Sequence, residues 1–173
     1  MLESLTTLFQ PWADLYSARA WLPTAVIAVH VLALFAGGGI AIAADRRVLQ
    51  ARPGTSEGFL AVAEDLRGTH GVVIGALVVM VLSGTALATA DIGTFAVSRV
   101  FWSKMAAFAV LIGNGAMMRS VEARLLTGAR STIEMSVAGP EVTEPWHGLR
   151  RHAWLSLAGW FLVVLLGVVV ANV

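Results

Sequence analysis

The sequence predicts an all-α, polytopic membrane protein: an antiparallel bundle of four spanning helices, preceded by an amphipathic helix at the interface. Four apolar runs, roughly 21–44, 70–90, 101–118 and 152–173, fill most of the 173 residues. Each approaches the ~20 residues needed to cross a hydrocarbon core about 30 Å thick. Backbone amides in lipid must be paired within their own segment, so each run is a helix. Composition agrees: 57% of residues are hydrophobic and only 13% charged, against about 25% charged in an ordinary soluble domain. The third observation is how positive charge is sorted. Arg46, Arg47, Arg52 and Arg67 lie between runs one and two, and Arg119, Arg124, Arg130, Arg150 and Arg151 between runs three and four. Only Arg19, Arg99 and Lys104 fall on the other side. The positive-inside rule then places both basic connections in the cytoplasm and both termini across the membrane from it.

The whole chain, 1–173, reads as one membrane domain with no separate soluble unit. Its first twenty residues place Leu2, Leu5, Leu8, Phe9, Trp12, Leu15 and Tyr16 on one helical face. This is an interfacial helix on the outer leaflet, bent or restarted at Pro11. Glu3 in place of a basic cluster argues against a cleaved signal peptide. Trp12, Tyr16, Trp21 and Trp102 are expected in an outer aromatic belt, Trp146 and Trp154 in an inner one. With no Cys there is no disulfide and no thiolate site.

Helices in lipid associate by close contact and hydrogen bonds, so small residues mark their seams. The first span carries Ala33, Gly37 and Ala41 at four-residue steps, the second Gly71, Gly75 and Ser83-Gly84-Thr85, the third Gly113 and Gly115, the fourth Gly159 and Gly167. Glycine also lets a flat cofactor approach the backbone, and His30 shares its face with Gly37. The pattern fits both readings.

Strongly polar side chains at membrane depth are functional candidates. His30 lies about 13 Å below the outer boundary at 1.5 Å rise per residue, and Asn114 at a similar depth. His30 is read as an axial haem ligand or a proton carrier, or as a neutral imidazole bonding Asn114 across the bundle. His70 opens the second span and His152 the fourth, so the two are candidates for holding one b-type haem between them, or simply interfacial histidines. His30 and His70 differ in depth by about 20 Å and cannot share an iron. Met80 is a weaker candidate for a sixth ligand to a haem on His30. Lys104 either snorkels to the outer interface or aims its charge at a propionate or anionic substrate above His30. Asp45, Arg46 and Arg47 are expected to face Arg119 and Glu122 in an interfacial salt-bridge network. No carboxylate lies within a run, no run is broken by proline and no inverted repeat stands out, which weakens a proton pump, a cation channel or a secondary transporter.

Three stretches carry a resemblance. Asp45-Arg46-Arg47-Val48-Leu49 closes a first helix that holds an early Trp, a His and a glycine patch. Phe101-Trp102-Ser103-Lys104-Met105 opens the third helix and leads to Asn114, and Arg150-Arg151-His152-Ala153-Trp154-Leu155-Ser156 leads to Gly167. In this order they resemble the copper-resistance-D-like superfamily of four-helix bacterial membrane proteins, particularly its small members. More distantly they are similar to the membrane-bound protoporphyrinogen oxidase family, which also places a His in helix one and a Lys at the start of helix three, matching His30 and Lys104. The acidic, proline-containing segment of that family is met only loosely by Pro140-Glu141-Val142-Thr143-Glu144-Pro145. No His faces the outer side, so copper import fits poorly.

The resemblance implies a bacterial inner-membrane protein that handles haem or porphyrin, with periplasmic termini. The expectation is a small haem-b-carrying, cytochrome-like subunit in electron transport. His30, His70 and His152 are its metal ligands, with Gly37 and Lys104 beside the cofactor, and it exchanges electrons with quinone or a membrane partner. The alternatives are a cofactor-free accessory subunit of a larger membrane complex or homo-oligomer, and a porphyrin-oxidising enzyme using His30 and Lys104. Nucleic acid is not an expected partner.

Overall fold

The computed structural model describes residues 2–52, 55–135 and 143–172. Six helices follow one another: α1 (Leu2–Ala18), α2 (Trp21–Gln50), α3 (Ser56–Ala90), α4 (Ile92–Val97), α5 (Arg99–Met135) and α6 (Thr143–Val170). Among the described residues no strand occurs. α2, α3, α5 and α6 are each long and apolar enough to cross a membrane, so the chain has the build of a multi-pass membrane protein in a lipid bilayer. Side chains such as Phe35, Leu82, Val110 and Leu165 stand exposed on the outside of the bundle, as lipid-facing residues do.

α2 packs against α3 and α6, and α5 against α6 and α3, so α2 and α5 occupy opposite corners. Local sequence places the breaks. Thr55 caps α3 by accepting the Gly58 N–H at 3.3 Å. Asp91 caps α4 through the Thr94 N–H at 3.4 Å, and the Ser98 hydroxyl accepts the Phe101 N–H at 3.2 Å as α5 begins. α1 runs unbroken through Pro11, where a bend was expected. It is held alongside α3 by the Trp12 indole, which donates to the Ala86 carbonyl at 2.9 Å.

All four spanning helices continue well beyond the apolar runs that announce them. α2 extends past 44 to Gln50, α3 begins at Ser56 rather than 70, α5 continues from 118 to Met135, and α6 begins at Thr143 rather than 152. These extensions build a second core at the arginine-rich end. There Val48, Leu125 and Leu149 are fully buried, packed with Ala63, Leu66, Met118 and Trp146. Trp146 was expected in an interfacial belt. It is instead 6% exposed and edge-on to Phe59, ring centroids 5.3 Å apart. The segment 56–69 carries Phe59, Leu60, Ala63 and Leu66 at helical spacing, and that apolar stripe needs a partner.

The middle of the bundle is apolar and tight. Ala33, Met80, Leu111, Trp160 and Val163 form one cluster. A Cβ at Gly37 would stand 2.8 Å from the Ala76 Cβ, one at Gly38 3.1 Å from the Trp160 ring, and one at Gly159 2.9 Å from a Leu111 methyl. These glycines therefore carry the α2–α3, α2–α6 and α5–α6 seams. Gly37→Ala should force α2 and α3 apart at a cost of about 1–3 kcal/mol. Gly75→Ala meets no atom within 4 Å and should leave stability unchanged or slightly raised. Thermal unfolding of both variants in detergent checks this: equal melting temperatures would remove Gly37 from the seam.

Candidate functional site

Polar side chains enter the bundle in two sets, one on either side of the apolar cluster. The set nearer the α1 end contains His30 of α2, Ser83 and Gly84 of α3, and Lys104 of α5. The His30 Nδ1 lies 2.9 Å from the Ser83 hydroxyl. That hydroxyl spends its hydrogen on the Val79 carbonyl at 2.6 Å, as serine in a helix often does. It can therefore only accept from the ring, which places the proton on Nδ1 and leaves Nε2 with its lone pair. The Met80 carbonyl, 3.3 Å from the same hydroxyl, is a second acceptor beside the ring. Gly84 makes room for the imidazole, since a Cβ there would stand 3.2 Å from its Cε1.

Lys104 turns inward. Its Nζ lies 3.5 Å from where a Cβ on Gly167 would stand, so the absent side chain of α6 makes room for the ammonium. Its charge also acts on His30 from the opposite corner of the bundle. Lys104 forms no salt bridge with any described residue. Between α2 and α3 the same level opens into a groove of about 340 Å³. Its walls are aliphatic, with Val26, Val29, Val79 and Leu82 among them, and Ser83 is its polar residue.

The second set lies toward the arginine-rich end. Asn114 and His152 clasp α5 to α6: the Asn114 amide donates to the His152 carbonyl at 2.9 Å, and His152 Nδ1 donates to Asn114 Oδ1 at 2.7 Å. One turn along α6, Ser156 stands beside the Asp45 carboxylate of α2. Asp45 is 2% exposed, and its Oδ2 finds no partner among the described groups. Nearer the end of the bundle, His70 Nε2 contacts Glu122 Oε2, joining α3 to α5.

Several expectations change accordingly. Asn114 bonds His152, while His30 bonds Ser83. His70 and His152 each bond a side chain of α5, Glu122 and Asn114 respectively, about two turns apart. Gly37 abuts Ala76, and Met80 is packed in the apolar cluster at 4% exposure; both serve packing. Of the expected interfacial salt-bridge residues, Arg47 forms an exposed pair with Asp65 at 2.8 Å. Asp45 and Glu122, expected at that surface, are buried instead, so the bundle does hold carboxylates. Each lies on the same helical face as core residues of its own helix: Asp45 beside Ala44 and Val48, Glu122 between Met118 and Leu125. The Pro140–Pro145 stretch lies largely outside the described residues. Among the described residues no three His, Cys, Asp or Glu side chains gather as a metal site.

Sequence reading missed Ser83 as the partner of His30, although its place in Ser83-Gly84-Thr85 on a small-residue face was visible. Taken together, fold and site define an all-α membrane bundle with a half-buried histidine oriented through Nδ1 and a half-buried cation across from it. No family model, curated protein or solved structure matches the chain.

The Asn114–His152 clasp yields a prediction. Asn114→Ala and His152→Ala should each destabilise the bundle by about 1–2 kcal/mol, the range for hydrogen bonds between membrane helices. The double variant should cost clearly less than their sum. Additive losses in a thermal or denaturant series would show that the two side chains stabilise the protein separately.

Proposed function

We propose that the chain is a protein of the bacterial inner membrane, its termini periplasmic, that holds a b-type haem or related porphyrin through His30 and serves electron transfer. The observation that carries this reading is the pairing of His30 and Lys104 in one polar layer. His30 is oriented as ligating histidines are, with the far nitrogen tied to a second group that fixes tautomer and ring angle. Lys104 is a cation without a carboxylate among the described residues, suited to a propionate. The aliphatic groove between α2 and α3 lies at the same level and is as apolar as the faces of a macrocycle. The donor set therefore fits a tetrapyrrole with an anionic edge.

Within that reading His30 ligates through Nε2, Ser83 holds the imidazole in place, Gly84 leaves it room and Lys104 binds the anionic edge. Bound haem would supply a one-electron couple whose potential follows from its axial ligand and burial. Electrons would come from quinone or a membrane redox partner. With Met80 packed in the apolar cluster, His30 is the strong ligand at this depth among the described residues. A porphyrin-oxidising enzyme is the second reading, favoured by the same His30–Lys104 pair.

The test is a reduced-minus-oxidised visible spectrum of the protein purified in mild detergent after expression with haem supplied. The wild-type chain should show a Soret band of five-coordinate, high-spin character. His30→Ala should abolish it, and Lys104→Ala should weaken haem retention about tenfold or less while keeping the band. Turnover of protoporphyrinogen by the same preparation would favour the enzyme. A folded but colourless and inactive preparation would overturn both readings and leave an accessory subunit.

A further inference from the structure

At the arginine-rich end, α3 and α5 diverge around a cleft of about 330 Å³ lined by Arg67, His70, Arg119, Glu122 and Leu126 among others. Arg67 and Arg119 are exposed, and neither forms a salt bridge with a described residue. The cleft's carboxylate is Glu122, buried at 4% exposure and covered by the His70 imidazole. Thr127, also in the lining, commits its hydroxyl hydrogen to the Ala123 carbonyl at 3.0 Å. The free hydrogen-bond donors are thus the two guanidiniums, whose planar forks match phosphate oxygens.

Depth narrows the choice of ligand. Arg67 precedes the apolar run that opens at 70 by less than one turn, and Arg119 directly follows the run that ends at 118. Both charges stand where hydrocarbon gives way to headgroups. Two turns into the apolar runs on the same helical faces the surface is apolar: Ile74 of α3 is 41% exposed and Ile112 of α5 42%. Basic pockets between spanning helices at this level are suited to anionic headgroups.

We propose that the cleft between α3 and α5 is a phosphate-binding site, read by Arg67 and Arg119 and occupied by the phosphodiester of an anionic phospholipid. The acyl chains would run along the exposed apolar surface beside it. The site lies on the other side of the apolar cluster from His30 and operates whether or not a porphyrin is bound there.

The experiment uses the full chain, delipidated in a neutral detergent, with thermal unfolding followed by tryptophan fluorescence. Phosphatidylglycerol, phosphatidylcholine and inorganic phosphate are titrated separately. Phosphatidylglycerol should raise the melting temperature saturably, and phosphatidylcholine should do so far less. Each of Arg67→Gln and Arg119→Gln should weaken the phosphatidylglycerol midpoint about fivefold, and the double variant about twenty-five-fold, from ~1 kcal/mol per arginine. Because neither arginine bonds a described residue, the single variants should fold and keep the test decisive. Arg46→Gln, an exposed arginine of α2 at the same end, controls for lost charge and should leave the midpoint unchanged. An equal effect of Arg46→Gln, or no stabilisation by any probe, overturns the proposal. Stabilisation by inorganic phosphate alone, lost with Arg67 and Arg119, supports the phosphate site and overturns its assignment to lipid.

Discussion

Gly37 and Gly38 set the distance at which α2 meets both of its neighbours, and the rest of the bundle follows from that spacing. Lipid tails are as apolar as leucine, so spanning helices gain little by merely touching; they need backbone proximity or hydrogen bonds. Gly37 brings α2 onto Ala76 of α3, and Gly38 seats the Trp160 ring of α6. The opposite side closes on Gly159 and Leu111. Only at such separations can the short side chains on either side of this waist reach across. Ser83 is short, yet it reaches His30; Asn114 is short, yet it reaches His152.

Outside the waist the bundle is held by two different physics. Toward the arginine-rich end the helices leave the apolar runs, and burial of Val48, Leu125, Leu149 and Trp146 supplies an ordinary water-driven core. Within the runs and at their edge, hydrogen bonds do the pairing: His30 with Ser83, Asn114 with His152, and His70 with Glu122 at the boundary. The tightest helix pairs are α2 with α3 and α5 with α6, neighbours in sequence. α3 and α5 meet less closely, and their divergence opens the cleft between Arg67 and Arg119.

The spans were legible because hydrophobicity over some twenty residues is a strong signal and lipid leaves the backbone no alternative to helix. Their ends were less legible. The runs stop at 44 and 118 by hydropathy, whereas helical periodicity continues, and Phe59, Leu60, Ala63 and Leu66 could have been read as a buried stripe. Asp45 and Glu122 were assigned to the surface by residue type, although their helical positions place them on core faces. His30 and Lys104 were legible as candidates from depth alone. The partner of His30 was not: it depends on how far α2 and α3 slide past each other, which is fixed by packing at Gly37 and not by any local pattern.

The cluster of Ala33, Met80, Leu111, Trp160 and Val163 has one more consequence. His30 and Asp45 are fifteen residues apart on α2, about 22 Å along the axis, and that largely apolar cluster packs the bundle between them. The layer that holds His30 is thereby parted from the layer that holds Asp45 by packed apolar side chains. Lys104 lies with His30 on one side of that partition, and the Asn114–His152 clasp lies with Asp45 on the other, so the two halves of the bundle are chemically unlike even though its helices run through both.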